Sequence, residues 1–171
     1  GSSFTEVADL NTGRTGLAGA GTTTASLAAT GSAGTGIGTF VESWNGSSWT
    51  ETTENNTARQ QLAGFGIQTA MVITGGTTPP FSALTEYWNG SSWTEVNDLN
   101  TARQGLNESG AGVYTAGIVA GGRKAHPSNP GQESNDTETW NATSWTEVGN
   151  LNEAKQLGGV FGTSTSAIYA G

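Results

Sequence analysis

Few side chains in this sequence are equipped for covalent or metal chemistry. His126 is the single histidine and there is no cysteine. One imidazole without thiols cannot build a His- or Cys-based metal site. No Gly-x-Ser-x-Gly, phosphate loop or dinucleotide fingerprint is present. No catalytic residue, metal ligand or cofactor is therefore assigned, and Asp9, Asp98, Asp136 and Glu138, although near turns, lack EF-hand spacing. What recurs is suited to binding. Arg14, Arg59 and Arg103 each follow an Asn-Thr-x motif, and Lys155 takes the fourth place after Asn152-Glu153-Ala154. A guanidinium grips carboxylates and phosphates bidentately, which lysine does not. Either these arginines hold an anionic ligand, or each pairs with a carboxylate of the Glu51 or Glu95 type or with loop carbonyls.

All six tryptophans lie in one motif used three times: Trp44-Asn45-Gly46-Ser47-Ser48-Trp49, Trp88-Asn89-Gly90-Ser91-Ser92-Trp93 and Trp140-Asn141-Ala142-Thr143-Ser144-Trp145. Trp44, Trp88 and Trp140 are either stacking platforms for sugars, which requires exposure, or packing between units. Between the recurring motifs the sequence varies most over 32–38, 77–83 and 123–134, and all four prolines lie in the last two stretches. The third stretch gathers Arg123, Lys124, His126, Gln132 and Glu133. Function concentrates on variable loops held by a rigid frame, so Arg123, Lys124, His126 and Gln132 form a candidate ligand contact, set against a merely drifted surface loop. Asn45, Asn55, Asn89, Asn107, Asn135 and Asn141 fit Asn-x-Ser/Thr. Turn chemistry accounts for them without glycans.

The elements that position these residues follow from the repeat. Phe4, Trp49, Trp93 and Trp145 stand at equivalent places, 45, 44 and 52 residues apart. Each unit offers four strands. The first covers 61–67 or 105–112, and the second covers 70–74 or 116–120, ending at Gly75-Gly76 or Gly121-Gly122. The third covers 84–88 and the fourth 92–96, joined through Asn89-Gly90. Short strands with Asn-Gly turns predict an all-β fold, and four strands in about 44–50 residues make one propeller blade. Hydrophobic residues are only 33% and charged residues 12%, while glycine, threonine and serine dominate. A helical bundle is thereby excluded, as is any run of about 20 apolar residues able to span a membrane as a helix. A single blade so poor in apolar residues cannot bury both faces; stacked blades can.

The succession of arginine, apolar strand, double glycine, Glu-x-aromatic strand and a later tryptophan resembles the kelch repeat. In one unit the matching positions are Gly75-Gly76, Glu86-Tyr87, Trp93 and Arg103. The resemblance covers essentially the whole chain. It implies a β-propeller of four-stranded antiparallel blades, with Arg14, Arg59 and Arg103 ringed near one channel mouth. Two features depart from the kelch pattern: the extra aromatic before each turn, and strands rich in threonine, glycine and alanine. In that style the chain resembles the repetitive virion and surface proteins of marine bacteriophages and marine bacteria. The cysteine–tyrosine cofactor of galactose-oxidase relatives is impossible here, since cysteine is absent.

Units are expected over 8–53, 54–98 and 99–150, with a partial unit at 151–171. Residues 1–7 supply a last-strand equivalent (Phe4–Val7), and two strands are expected over 157–162 and 166–170. Three assemblies fit these pieces: an excerpt of a longer repetitive chain, a four-bladed closure, or two chains forming about eight blades. The net charge of −8, with only Arg123 and Lys124 adjacent among the basic residues, excludes nucleic acid as an expected partner. No membrane insertion is expected. The expected function is a non-enzymatic structural or recognition protein on a virion, as in a tail fibre, or on a cell exterior. Its loops would bind host glycan or protein, and its other partners would be further copies or neighbouring repeats. An intracellular kelch-type interaction module and a propeller-fold hydrolase or lyase are the alternatives.

Overall fold

The computed structural model describes residues 3–125 and 131–171. It is all-β. The first unit contains β1 (Ala18–Thr22), β2 (Ala25–Ala29), a small hairpin β3 (Ser32–Ala33) and β4 (Gly36–Ile37), then β5 (Val41–Trp44) and β6 (Trp49–Glu51). The second contains β7 (Ala63–Ile67), β8 (Ala70–Thr74), β9 (Thr85–Trp88) and β10 (Trp93–Val96). The third runs β11 (Arg103–Gln104), β12 (Gly110–Val113), β13 (Ala116–Ala120), β14 (Arg123–Lys124), β15 (Gln132–Glu133), β16 (Thr137–Trp140) and β17 (Trp145–Glu147). A last hairpin joins β18 (Gly159–Thr163) to β19 (Ser166–Ala170). Three four-stranded antiparallel sheets result, ordered β1-β2-β5-β6, β7-β8-β9-β10 and β12-β13-β16-β17.

The units stand side by side, with β1 next to β7, β7 next to β12 and β12 next to β18. Among the described residues β18 and β1 do not pack together in that way, so no closed ring is formed. The core lies between the units. Ala18 and Leu27 meet Met71, Ile73, Trp88 and Trp93 across the first boundary. Phe65 and Val72 meet Val119, Trp140 and Trp145 across the second, and Ala111 and Ala120 meet Val160 across the third. Large residues face small ones across these boundaries, as close packing demands. The Phe65 ring lies where a Cβ on Gly117 would sit 2.2 Å from it, so only glycine admits the ring there.

Three sequence expectations need correction. Residues 4–7 form no strand, and Phe4 is fully exposed. A fourth strand pairs only with the third strand of its own unit, as β10 does with β9, and among the described residues no strand lies beside residues 4–7. The first strands begin later than the pattern suggested. Gln61, Gly105 and Leu157, each two residues beyond Arg59, Arg103 and Lys155, have φ of 58°, 64° and 58° and turn the chain before the strand can start. The stretch 123–134 is not all loop: β14 pairs with β11 on one side and β15 on the other.

Candidate functional site

The recurring arginines build the most regular feature of the molecule. Arg14 donates to Glu42 Oε1 at 2.5 Å, Arg59 to Glu86 Oε1 at 2.9 Å and Arg103 to Glu138 Oε1 at 2.8 Å. All three guanidinium side chains are fully buried. The other carboxylate oxygen accepts the main-chain N–H of Asn11, Asn56 or Asn100 at 2.7–2.8 Å. Thr12 and Thr57 N–H add a longer contact to Oε1. The guanidinium also donates to carbonyls that end the second strand and precede the third: Gly75 and Leu84 for Arg59, Gly121 and Asp136 for Arg103. The Asn-Thr-x-Arg motif is thus a clamp. Its backbone N–H groups and its arginine close on one glutamate of the third strand and fasten three segments of a unit to one point. Charge-assisted bonds of this kind are the strong ones.

Burial drives the Glu42 carboxyl up, but the Asn11 N–H, the Arg14 guanidinium and the Thr12 N–H outweigh it and hold the group below its ordinary value. Burial pulls the Arg59 and Arg103 guanidinium groups down, and Glu86 and Glu138 pull them back. The expectation of an anion-holding ring at Arg14, Arg59 and Arg103 is therefore corrected, because each cation is enclosed with a carboxylate of its own. The carboxylates are Glu42, Glu86 and Glu138, not those of the Glu51 or Glu95 type. The Glu-x-aromatic strand carries these partners in the sequence, but its spacing alone does not set them apart from the fourth-strand glutamates. In the fourth unit Lys155 lies 3.4 Å from the exposed Glu153.

Trp44, Trp88 and Trp140 are buried at 2–5% exposure. Their indole N–H groups donate to the carbonyls of Thr23, Gln68 and Tyr114, in the turn between the first two strands of the same unit. They are not sugar platforms. Each leans on the tryptophan across its hairpin, with ring centroids 5.3–5.4 Å apart. Trp93 and Trp145 donate across unit boundaries to Thr53 O and Thr85 Oγ1. Asn45, Asn89 and Asn141 serve the four-residue turns between the paired tryptophans: each Oδ1 accepts two main-chain N–H groups two and three residues on.

The loops after the second strands are tied to the next clamp. Gly31, Gly76 and Gly122 N–H donate to the carbonyls of Arg59, Arg103 and Lys155. In the third such loop Arg123 Nε donates to Gly131 O at 2.6 Å, and Lys124 Nζ pairs with Asp136 at 3.1 Å, half-buried. Burial raises the Asp136 carboxyl, yet the Ser134 hydroxyl and Lys124 hold it below its ordinary value. Gln132 and Glu133 are exposed. His126 lies outside the described residues. Of the candidate contact set, Arg123 and Lys124 are thus largely occupied within the loop, and Gln132 faces solvent. Among the described residues no three His, Cys, Asp or Glu side chains gather as a metal site, and no helix is long and apolar enough to cross a membrane. No protein-family model and no curated protein matches the chain.

Proposed function

We propose that this chain is a non-enzymatic structural and recognition module of kelch-like propeller blades, carried on a virion or cell exterior. Its loops contact host glycan or protein, and its blades stack on further repeats or copies. What supports this is where the recurring residues are spent. The arginines, their glutamates and the paired tryptophans hold each unit together and join it to the next. Sequence variation falls on the segments after the second strand, where no clamp residue sits. That division suits a rigid frame presenting changeable loops. The acidic, neutral-polar surface limits nonspecific adhesion.

The test has two arms. Antibody raised against the chain is used for immunogold labelling of the source material, and label on virion or cell exteriors is expected. The chain and a variant in which 123–134 is replaced by 77–83 are applied to a glycan array and to host cells. Binding that disappears in the variant supports display by that loop. Interior label, or binding indifferent to the loop, overturns the proposal.

A further inference from the structure

One pair of side chains across a unit boundary carries chemistry that the repeat does not require. Tyr87 lies in β9 of the second unit, and Tyr114 lies in the turn between β12 and β13 of the third. Their rings stack with centroids 3.7 Å apart and planes inclined by 21°. That is van der Waals contact between two phenols. With so little lateral offset, the carbons ortho to each hydroxyl lie against the other ring. The equivalent residues at the first boundary are Ser43 and Gln68, where Gln68 Nε2 donates to Ser43 Oγ at 3.1 Å. At the third boundary they are Thr139 and Ser164. Small or polar residues thus serve the other boundaries, and among the described residues two phenols meet only here.

The rest of the molecule leaves these phenols as the accessible targets of a one-electron oxidant. There is no cysteine, and Met71, the single methionine, is fully buried. Five of the six tryptophans are buried, and only Trp49 is half-buried. Tyr87 and Tyr114 are half-buried. Neither of their hydroxyls is enclosed without a partner, as the Tyr169 hydroxyl is. Burial, and then the neighbouring Tyr114, push the Tyr87 phenol above its ordinary value. It is therefore a neutral phenol at neutral pH, and its oxidation releases a proton with the electron.

The geometry points to an oxidative modification site, at which Tyr87 and Tyr114 couple into one biphenol that staples the second unit to the third. The co-reactant is hydrogen peroxide, acting through a one-electron oxidant of the haem-peroxidase class. Each phenol gives up one electron and its hydroxyl proton. The two ring radicals join by a new carbon–carbon bond between carbons ortho to the oxygens. The hydrogen on each of those carbons moves to its oxygen as the ring becomes aromatic again. Two electrons and two protons leave in all, and they reduce one hydrogen peroxide to two waters. Tyr114 lies outside the pairs that β12 makes with β13, so its ring can swing from stacked to side by side without breaking a strand pair. Holding the rings in contact makes the coupling intramolecular, which favours it over any meeting between separate chains. This site is independent of what the loops recognise.

The full chain at micromolar concentration is treated with hydrogen peroxide and a haem peroxidase. A small photochemical one-electron oxidant repeats the treatment, so that access of the enzyme does not decide the result. A monomer lighter by two hydrogen atoms and carrying biphenol fluorescence is expected. Cleavage after Arg59, Arg103 and Arg123 with trypsin should then release residues 60–103 and 104–123 as one linked species. Tyr87→Phe and Tyr114→Phe keep a ring in the stack and remove the hydroxyl. Each, with an unchanged circular dichroism spectrum, is expected to lower the yield at least about tenfold, and Tyr169→Phe to leave it unchanged. Equal yield in either of the first two variants, a link mapped to Tyr169, or a product of doubled mass alone would each overturn the proposal. So would uptake of oxygen at Trp49 with no coupling, because the oxidant would then have reached the chain without joining the pair.

Discussion

At the scale of single residues, the clamp answers an electrostatic problem set by the strands themselves. Glu42, Glu86 and Glu138 lie directly opposite Glu51, Glu95 and Glu147 on the neighbouring strand. Like charges facing one another across a sheet are destabilising, and the inner member of each pair is buried. The arginine cancels that charge, and it is itself buried and needs the carboxylate. Removing either partner strands the other, which costs about 3–5 kcal/mol for a buried pair. Arg59→Met and Glu86→Gln are each expected to lower stability to urea by that amount. The double variant should recover part of the loss, because the two changes act on one interaction. Additive losses would show that the pair is not coupled. One clamp carboxylate and the Asp136 carboxylate beside Lys124 also set a pH limit. Glu42 and Asp136 are held below their ordinary values of 4.5 and 3.8 in the folded chain. A depressed carboxyl gives stability that is fully present above the unfolded value and is lost as pH falls through the folded one. Urea midpoints are therefore expected to be level above about pH 5 and to fall steadily below about pH 4.5. A midpoint that rises on acidification would contradict this assignment.

At the scale of elements, the second strands β2, β8 and β13 each end in a left-handed turn, and the units differ in how they form it. Gly75 and Gly121 occupy the first position with φ of 69° and 73°, whereas the first unit places Thr30 there at φ 63°. A β-branched residue in that region costs about 1–2 kcal/mol, and the buried Thr30 hydroxyl has no hydrogen-bond partner among the described residues. Thr30→Gly restores the repeat's own solution. It is expected to stabilise the chain by about 1 kcal/mol after the extra entropy of glycine is subtracted, read as a higher melting temperature. No gain would mean that the lost packing of the threonine outweighs the relieved turn. The same comparison shows what the sequence could reveal. The second strands and the turns between paired tryptophans were legible because apolar runs and Asn-Gly-Ser-Ser recur in phase. The starts of the first strands were not, because Gln61 and Leu157 carry no mark of a left-handed backbone. The clamp partner was half legible. Two sets of glutamates recur with the arginines, and only strand pairing shows that the third-strand set faces inward while the fourth-strand set stays exposed.

At the scale of the whole molecule, the boundary between units works as a plug and a socket, and among the described residues the first unit leaves a socket open and the last unit leaves a plug exposed. Within the chain Phe65 is the plug. Its ring rests on Gly117 and meets Trp145 edge-on, with centroids 6.1 Å apart. The residue equivalent to Phe65 in the last unit is Phe161, which with Ile168, the equivalent of Val72, is 63–71% exposed instead of buried. The residues equivalent to Gly117 and Trp145 in the first unit are Ser26 and Trp49. They line an open groove with Leu10, Leu17, Gly19 and Ala28. Ser26 is small enough to accept a ring, and Trp49 is only half-buried, unlike Trp93 and Trp145. A second copy presenting Phe161 to that groove repeats a contact the chain already makes internally, and the join is heterologous, so copies add head to tail. Burying a side chain of this size yields about 1.5–3 kcal/mol, and association itself is costly. Weak, concentration-dependent growth is therefore expected. Light scattering on the chain should give a mass rising above 17.4 kDa with concentration, toward multiples of that value. Phe161→Ser together with Ile168→Thr should return it to a folded monomer, because both residues are solvent-exposed and contribute little to their own unit. A monomer at every concentration would remove head-to-tail stacking of this chain, and a variant that still associates would place the contact on another face.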